Sequence, residues 1–148
     1  MEAYKDFKEL LELFNAKGVE YLVVGGYALA FHGAPRYTGD LDLYVRPTPE
    51  NGERIVTALA DFGFASLGLK REDFVQPDQV IQLGVPPVRV DMITSIDGVT
   101  WDEAWTGSVQ GEYGGVPVRY IGRAEFIHNK RAAGRQKDRA DLESLDED

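Results

Sequence analysis

The segment Gly39-Asp40-Leu41-Asp42-Leu43 places two carboxylates one residue apart where apolar and polar side chains alternate. On an extended strand, residues i and i+2 face the same way with Cα atoms roughly 6.6 Å apart, so the two acids can turn toward one point. Like charges held that close repel unless a proton or a cation sits between them. Mg²⁺ suits such a position, because it takes one or two carboxylates and completes its shell with water and phosphate oxygens. A further acid, Asp91, interrupts the apolar stretch Val88-Arg89-Val90-Asp91-Met92-Ile93. If that strand lies beside the first, Asp91 joins Asp40 and Asp42, and three acids can hold two ions roughly 3.5–4 Å apart. Upstream, Val23-Val24-Gly25-Gly26-Tyr27-Ala28 runs from an apolar strand through two glycines into a helix. Free N–H groups at such a start attract phosphate oxygens, and glycine lets a ligand approach the backbone. Each feature also has a plain reading. The Asp pair can be a solvated strand face, Arg89 and Asp91 a surface ion pair, and the glycines a tight turn.

The elements that must position these groups follow from periodicity. Residues 2–17 carry Phe7, Leu10, Leu11 and Phe14 at helical spacing and end at Gly18, where a left-handed cap is usual. Residues 19–24 read as a buried strand, 27–32 as a short helix and 40–45 as a half-buried strand. Thr48 is placed to cap a helix over 50–62 with Ile55, Leu59 and Phe62 inward. Strands are expected over 79–84 and 88–93, joined by a turn at Pro86-Pro87, with a short helix over 100–105 and a strand over 116–120. Two helices, parted near Gly134, fill a tail over about 123–146. The expected fold class is α/β (α+β), a mixed sheet of about five strands flanked by helices in a single domain over 1–148.

Composition excludes several chemistries. Of 148 residues, 43% are hydrophobic and 28% charged, as in a globular protein with a true core. Cysteine is absent, so disulfides, thiolate metal sites and a thiol nucleophile are ruled out. Only two histidines occur, so a bound metal must rest on carboxylates. The longest apolar run, 21–31, falls short of the roughly 20 residues that span a bilayer, and the polar N-terminus is unlike a secretory signal. A cytoplasmic location with no membrane association is expected. The net charge of −9 argues against a general nucleic-acid coat, yet residues 119–139 carry seven Lys or Arg against two acids. His32, His128, Trp101, Trp105, Tyr27 and Tyr44 are expected to play structural roles.

In this combination the sequence resembles the nucleotidyltransferase superfamily named after DNA polymerase beta. The likeness rests on an apolar strand, Gly25-Gly26, a helix, Asp40-x-Asp42 about a dozen residues on, and the later Asp91. The stretches Val24–Leu29 and Arg36–Leu43 look like its minimal prokaryotic branch, which includes abortive-infection and toxin–antitoxin nucleotidyltransferases. The tail, Lys130-Arg131 followed by Arg135-Gln136-Lys137-Asp138-Arg139-Ala140-Asp141, is similar to the Lys…Arg-x-Lys-Asp-x-x-Asp ending of many such proteins. The resemblance implies that Asp40, Asp42 and Asp91 are catalytic and bind Mg²⁺ or Mn²⁺. It also implies that Gly25, Gly26, Arg36, Thr38, Lys130, Arg131 and Arg135 contact a nucleoside triphosphate.

The activity so implied is transfer of a nucleoside monophosphate to a hydroxyl, with loss of pyrophosphate. The acceptor stays open among a tRNA end, a protein side chain and a small molecule; a homodimer or a cognate protein partner could complete the cleft. The alternative is a catalytically silent nucleotide-binding or toxin–antitoxin module of the same fold.

Overall fold

The helix Lys5–Ala16 (α1) shows how apolar spacing becomes packing. Phe7, Leu10, Leu11 and Phe14 are almost wholly removed from solvent, each such burial contributing about 1.5–3 kcal/mol. Gly18 stops the helix at φ +72°, with Gly18 N–H donating to the Asn15 carbonyl at 3.2 Å and Val19 N–H to that of Phe14 at 2.9 Å. These are the two bonds of a Schellman cap. The chain then enters the strand Tyr21–Val24 (β1), the helix Gly25–Phe31 (α2) and the strand Asp40–Val45 (β2). The computed structural model describes residues 4–35, 38–85 and 88–147. The Pro86-Pro87 turn expected from the sequence lies outside them.

Thr48 caps the helix Pro49–Leu59 (α3), its hydroxyl accepting from Asn51 N–H at 3.3 Å. The helix was expected to run to Phe62. It instead relaxes after Leu59 into a wide turn over Ala60–Phe64, which contains Gly63 at φ 107°. Strands Val80–Val85 (β3) and Val88–Ile93 (β4) precede the helix Trp101–Thr106 (α4), which Thr100 and Glu103 cap reciprocally. Strands Val109–Tyr113 (β5) and Val116–Tyr120 (β6) lead into helices Arg123–Ala133 (α5) and Gln136–Ser144 (α6).

Among the described residues the six strands form one sheet in the order β3-β4-β2-β1-β6-β5. It is mixed, as expected. β2 pairs with β4 and β1 with β6 in parallel, whereas β1–β2, β3–β4 and β5–β6 are antiparallel. The sixth strand, β5, escaped the sequence reading because Gln110, Gly111 and Glu112 break its apolar pattern, as an edge strand with one partner permits. Tyr21 of β1 meets α1, where Phe14 packs edge-on against its ring. The opposite face meets α4, where Trp101 packs against Tyr44. Asp40, Asp42 and Tyr44 therefore share the α4 face, while Leu41, Leu43 and Val45 enter the core.

Buried Asn51 ties the start of β1 to the end of β2. Its amide nitrogen donates to the carbonyls of Glu20 (2.9 Å) and Arg46 (3.0 Å), and its amide oxygen accepts from Glu20 N–H at 2.7 Å. Truncation strands several backbone groups in a dry place, each costing about 1–3 kcal/mol. Asn51→Ala should lower the unfolding free energy by about 2–4 kcal/mol in a urea titration, whereas exposed Thr57→Ala should stay near wild type.

Candidate active site

The parallel register of β2 and β4 sets Asp42 directly beside Asp91, and Asp42 also pairs with Val24 at the end of β1. Side chains opposite one another in register share a sheet face, so Asp40, Asp42 and Asp91 converge. Each of the three offers a carboxylate oxygen lying within 4.8 Å of those of the other two. Asp91 is only 7% exposed. An all-oxygen set of this kind, without sulfur or imidazole, fits a hard divalent cation such as Mg²⁺ or Mn²⁺.

Gly25 explains how the Asp42 carboxylate can lie against the backbone. It sits at φ +67°, and a Cβ there would collide with the Asp42 side chain. The sequence reading gave Gly25 a role toward phosphate; the structure adds that it makes room for an acid. Thr38 lies at the cavity edge, its hydroxyl donating to the Asp40 carbonyl at 2.9 Å, and so steadies the entry to β2.

Charge on the cluster is balanced in two ways. Burial, a hydrogen bond to Asp40 and the charges of Asp40 and Asp91 push the Asp42 carboxyl up to about 8, with Lys137 opposing. Arg89 forks onto Asp91, its Nε on Oδ1 and its Nη2 on Oδ2, both at 2.8 Å. The ion pair read as the plain alternative for Arg89 and Asp91 is therefore present, and it lies inside the acidic cluster.

The three acids floor a cavity of about 580 Å³ between the sheet and the α5–α6 corner. Gly25, Gly26, Thr38, Lys130 and Arg135 all line it. Lys130 is buried with its ammonium 3.2 Å from both Asp138 Oδ1 and Asp141 Oδ2, so it reaches the wall already paired. Arg135 donates from Nε to Asp138 Oδ2 at 2.8 Å, with its side chain still 63% exposed. Arg131 is not among the lining residues and lies 3.4 Å from Glu147 Oε2. Arg36 lies outside the described residues.

Sequence reasoning quoted Lys137 inside the tail motif without giving it a role; it lines the cavity and its charge acts on Asp42. Asp78, Gln79, Ser95 and Asn129 also line it and carried no local signal, since only the β3–β4 pairing and the α5 packing bring them there. His32 Nε2 meets the Ile121 carbonyl at 2.7 Å, Tyr27 and Tyr44 are buried, and Trp101 stacks on Trp105.

No protein-family model and no curated protein matches the sequence. Solved structures do match in shape. A candidate nucleotidyltransferase from Thermotoga maritima superposes with a TM-score of 0.64 at 14% identity, over 93% of this chain and 88% of the other. The lincosamide antibiotic adenylyltransferase LnuA, in its lincomycin-bound form, gives 0.57 at 12% identity, over 98% and 97%. An antigenic nucleotidyltransferase-like protein from Paracoccidioides brasiliensis gives 0.57 at 15% identity, over 97% and 75%. The chain therefore has the nucleotidyltransferase fold. Among the described residues, no helix is long and apolar enough to cross a membrane.

Two expectations follow. Gly25→Ala should displace the Asp42 carboxylate and weaken Mn²⁺ binding in calorimetry by about tenfold or more, a cost of about 1.4 kcal/mol. Gly18→Ala carries a similar φ cost with nothing within 4 Å of the new Cβ, so it should lose stability and keep Mn²⁺ affinity. The second concerns pH. Between about pH 4 and 8 the unfolded chain has ionised residue 42 while the folded chain keeps its proton, so rising pH favours unfolding. In chelator, wild type should therefore lose stability relative to Asp42→Asn across that window, and the difference should level off above it.

Proposed function

We propose that the protein is a metal-dependent nucleotidyltransferase that moves a nucleoside monophosphate from a nucleoside triphosphate to a hydroxyl acceptor. The observation that carries this reading is the convergence of Asp40, Asp42 and Asp91 beside the Gly25-Gly26 bend. Divalent cations held by the three carboxylates would offset charge on the triphosphate and polarise its α-phosphorus. Gly25 and Gly26 would offer backbone N–H groups to the phosphates, with Thr38, Arg135 and Lys137 around them and Arg36 a further candidate. The buried Lys130 would instead hold the α5–α6 corner at the cavity through Asp138 and Asp141.

The acceptor oxygen attacks the α-phosphorus, the bond to the bridging oxygen breaks and pyrophosphate leaves. The hydroxyl proton passes to an Asp91 carboxylate oxygen. Positioning and charge neutralisation supply most of the acceleration in such transfers. A silent binding module of the same fold gains nothing from three mutually repelling acids, which weighs against that alternative.

A small molecule is the acceptor these features favour. The positive excess over 119–139 is countered within the fold, since Arg123 and Arg131 meet Glu147 while Lys130 and Arg135 meet Asp138. A polyanionic RNA strand thus finds less free charge than the sequence suggests. The chain also matches nearly the full length of LnuA, which is described as acting on a lincosamide antibiotic. Incubation with α-labelled nucleoside triphosphates and fractionated cell extract should place label on the small-molecule fraction, with pyrophosphate released. Asp42→Asn and Asp91→Asn should each cut that transfer by at least about a hundredfold while melting cooperatively. Label on RNA or protein would redirect the acceptor, and undiminished transfer by both variants would end the assignment.

A further inference from the structure

Arg89 stands two residues before Asp91 on β4, on the same sheet face, and pairs in register with Asp40 across the β2–β4 ladder. Its guanidinium donates one hydrogen bond to each oxygen of Asp91, both 2.8 Å long. In that fork geometry each carboxylate oxygen spends on the arginine a lone pair that a cation would otherwise use. The Asp91 carboxylate is nearly buried, whereas the Arg89 side chain keeps 32% of its surface exposed and lines the same cavity. The arginine therefore has open cavity beside it, and the acid is enclosed.

We propose that Arg89 is a positioning residue that exchanges Asp91 for nucleotide phosphate, so that Asp91 is released to a divalent cation only when a nucleotide is present. The proposal rests on the nucleotidyl-transfer reading above. Without nucleotide, the guanidinium and a cation compete for one carboxylate. With nucleotide, the guanidinium gains a second planar acceptor that it recognises with the same fork. The cation then meets Asp91 with its lone pairs free. Cation and nucleotide binding are thereby coupled through a single side chain, and by linkage each strengthens the other equally.

The test is a Mn²⁺ titration read by the electron paramagnetic resonance of the free ion, with and without a nucleoside triphosphate whose α–β bridge is a methylene group. In the absence of nucleotide, Arg89→Gln should bind Mn²⁺ about tenfold tighter than wild type, and the enhancement that nucleotide gives wild type should shrink by a similar factor. Arg89→Lys keeps the charge and loses the fork, so it should show part of the gain. If Arg89→Gln binds Mn²⁺ alone no more tightly than wild type, the exchange is overturned while the transfer reading stands. If Arg89→Lys equals wild type, net charge accounts for the effect and the exchange is likewise overturned. Should no form of the protein bind Mn²⁺ under either condition, both readings fall together.

Discussion

Three carboxylates with oxygens inside 4.8 Å constitute the constraint around which this molecule is organised. Unit charges a few ångströms apart repel by about 4 kcal/mol per pair at an effective dielectric of 20. A flexible backbone would relieve that by turning one acid away. Here it cannot, because β2 and β4 lie inside the sheet and each is hydrogen-bonded on both sides. The repulsion has to be met by charge. A proton retained on Asp42 and the guanidinium on Asp91 meet it when no cation is bound. A cation at the same oxygens would meet it as well.

The same logic explains the opposite wall. Asp138 accepts from Lys130 and Arg135, and Lys130 also reaches Asp141, all within or beside the α5–α6 corner. Buried ion pairs of this sort contribute little net stability, because desolvation offsets their attraction. Their effect is geometric: the ammonium has few other places to go, so the corner is held in one arrangement. Arg135 and Lys137 are then presented to the cavity from the first turn of α6. Of the tail cations expected from sequence to contact phosphate, Lys130 and Arg135 line the cavity while paired with Asp138, and Arg131 lies outside it beside Glu147.

What the sequence made legible was local. Alternation over 40–45 placed Asp40 and Asp42 on one face and the leucines on the other; burial follows it through Leu43, and Tyr44 departs from it because Trp101 covers it. The contribution of Asp91 required that β4 lie beside β2 in a register matching Asp42 to Asp91. Such a pairing, across nearly fifty residues, is set by packing on both sheet faces and leaves no mark in either segment alone. The collision that forbids a side chain at Gly25 is hidden for the same reason, since the obstacle, Asp42, arrives from another strand. Strand β5 was missed because an edge strand half open to water tolerates Gln, Gly and Glu where an interior strand would not.

The likeness to solved nucleotidyltransferases, at 12–15% identity, concerns the path of the backbone, and function has to be argued from the site that path carries. At that level an ion pair with Arg89 and a metal-holding role are compatible properties of one Asp91 carboxylate. A charged carboxylate kept nearly dry needs a partner of opposite charge, because leaving it bare would cost several kcal/mol. The neighbouring arginine fills that need, and a cation at the same oxygens would fill it too. The ion pair is therefore what lets so buried an acid stay charged, and it is compatible with the catalytic role proposed for Asp91.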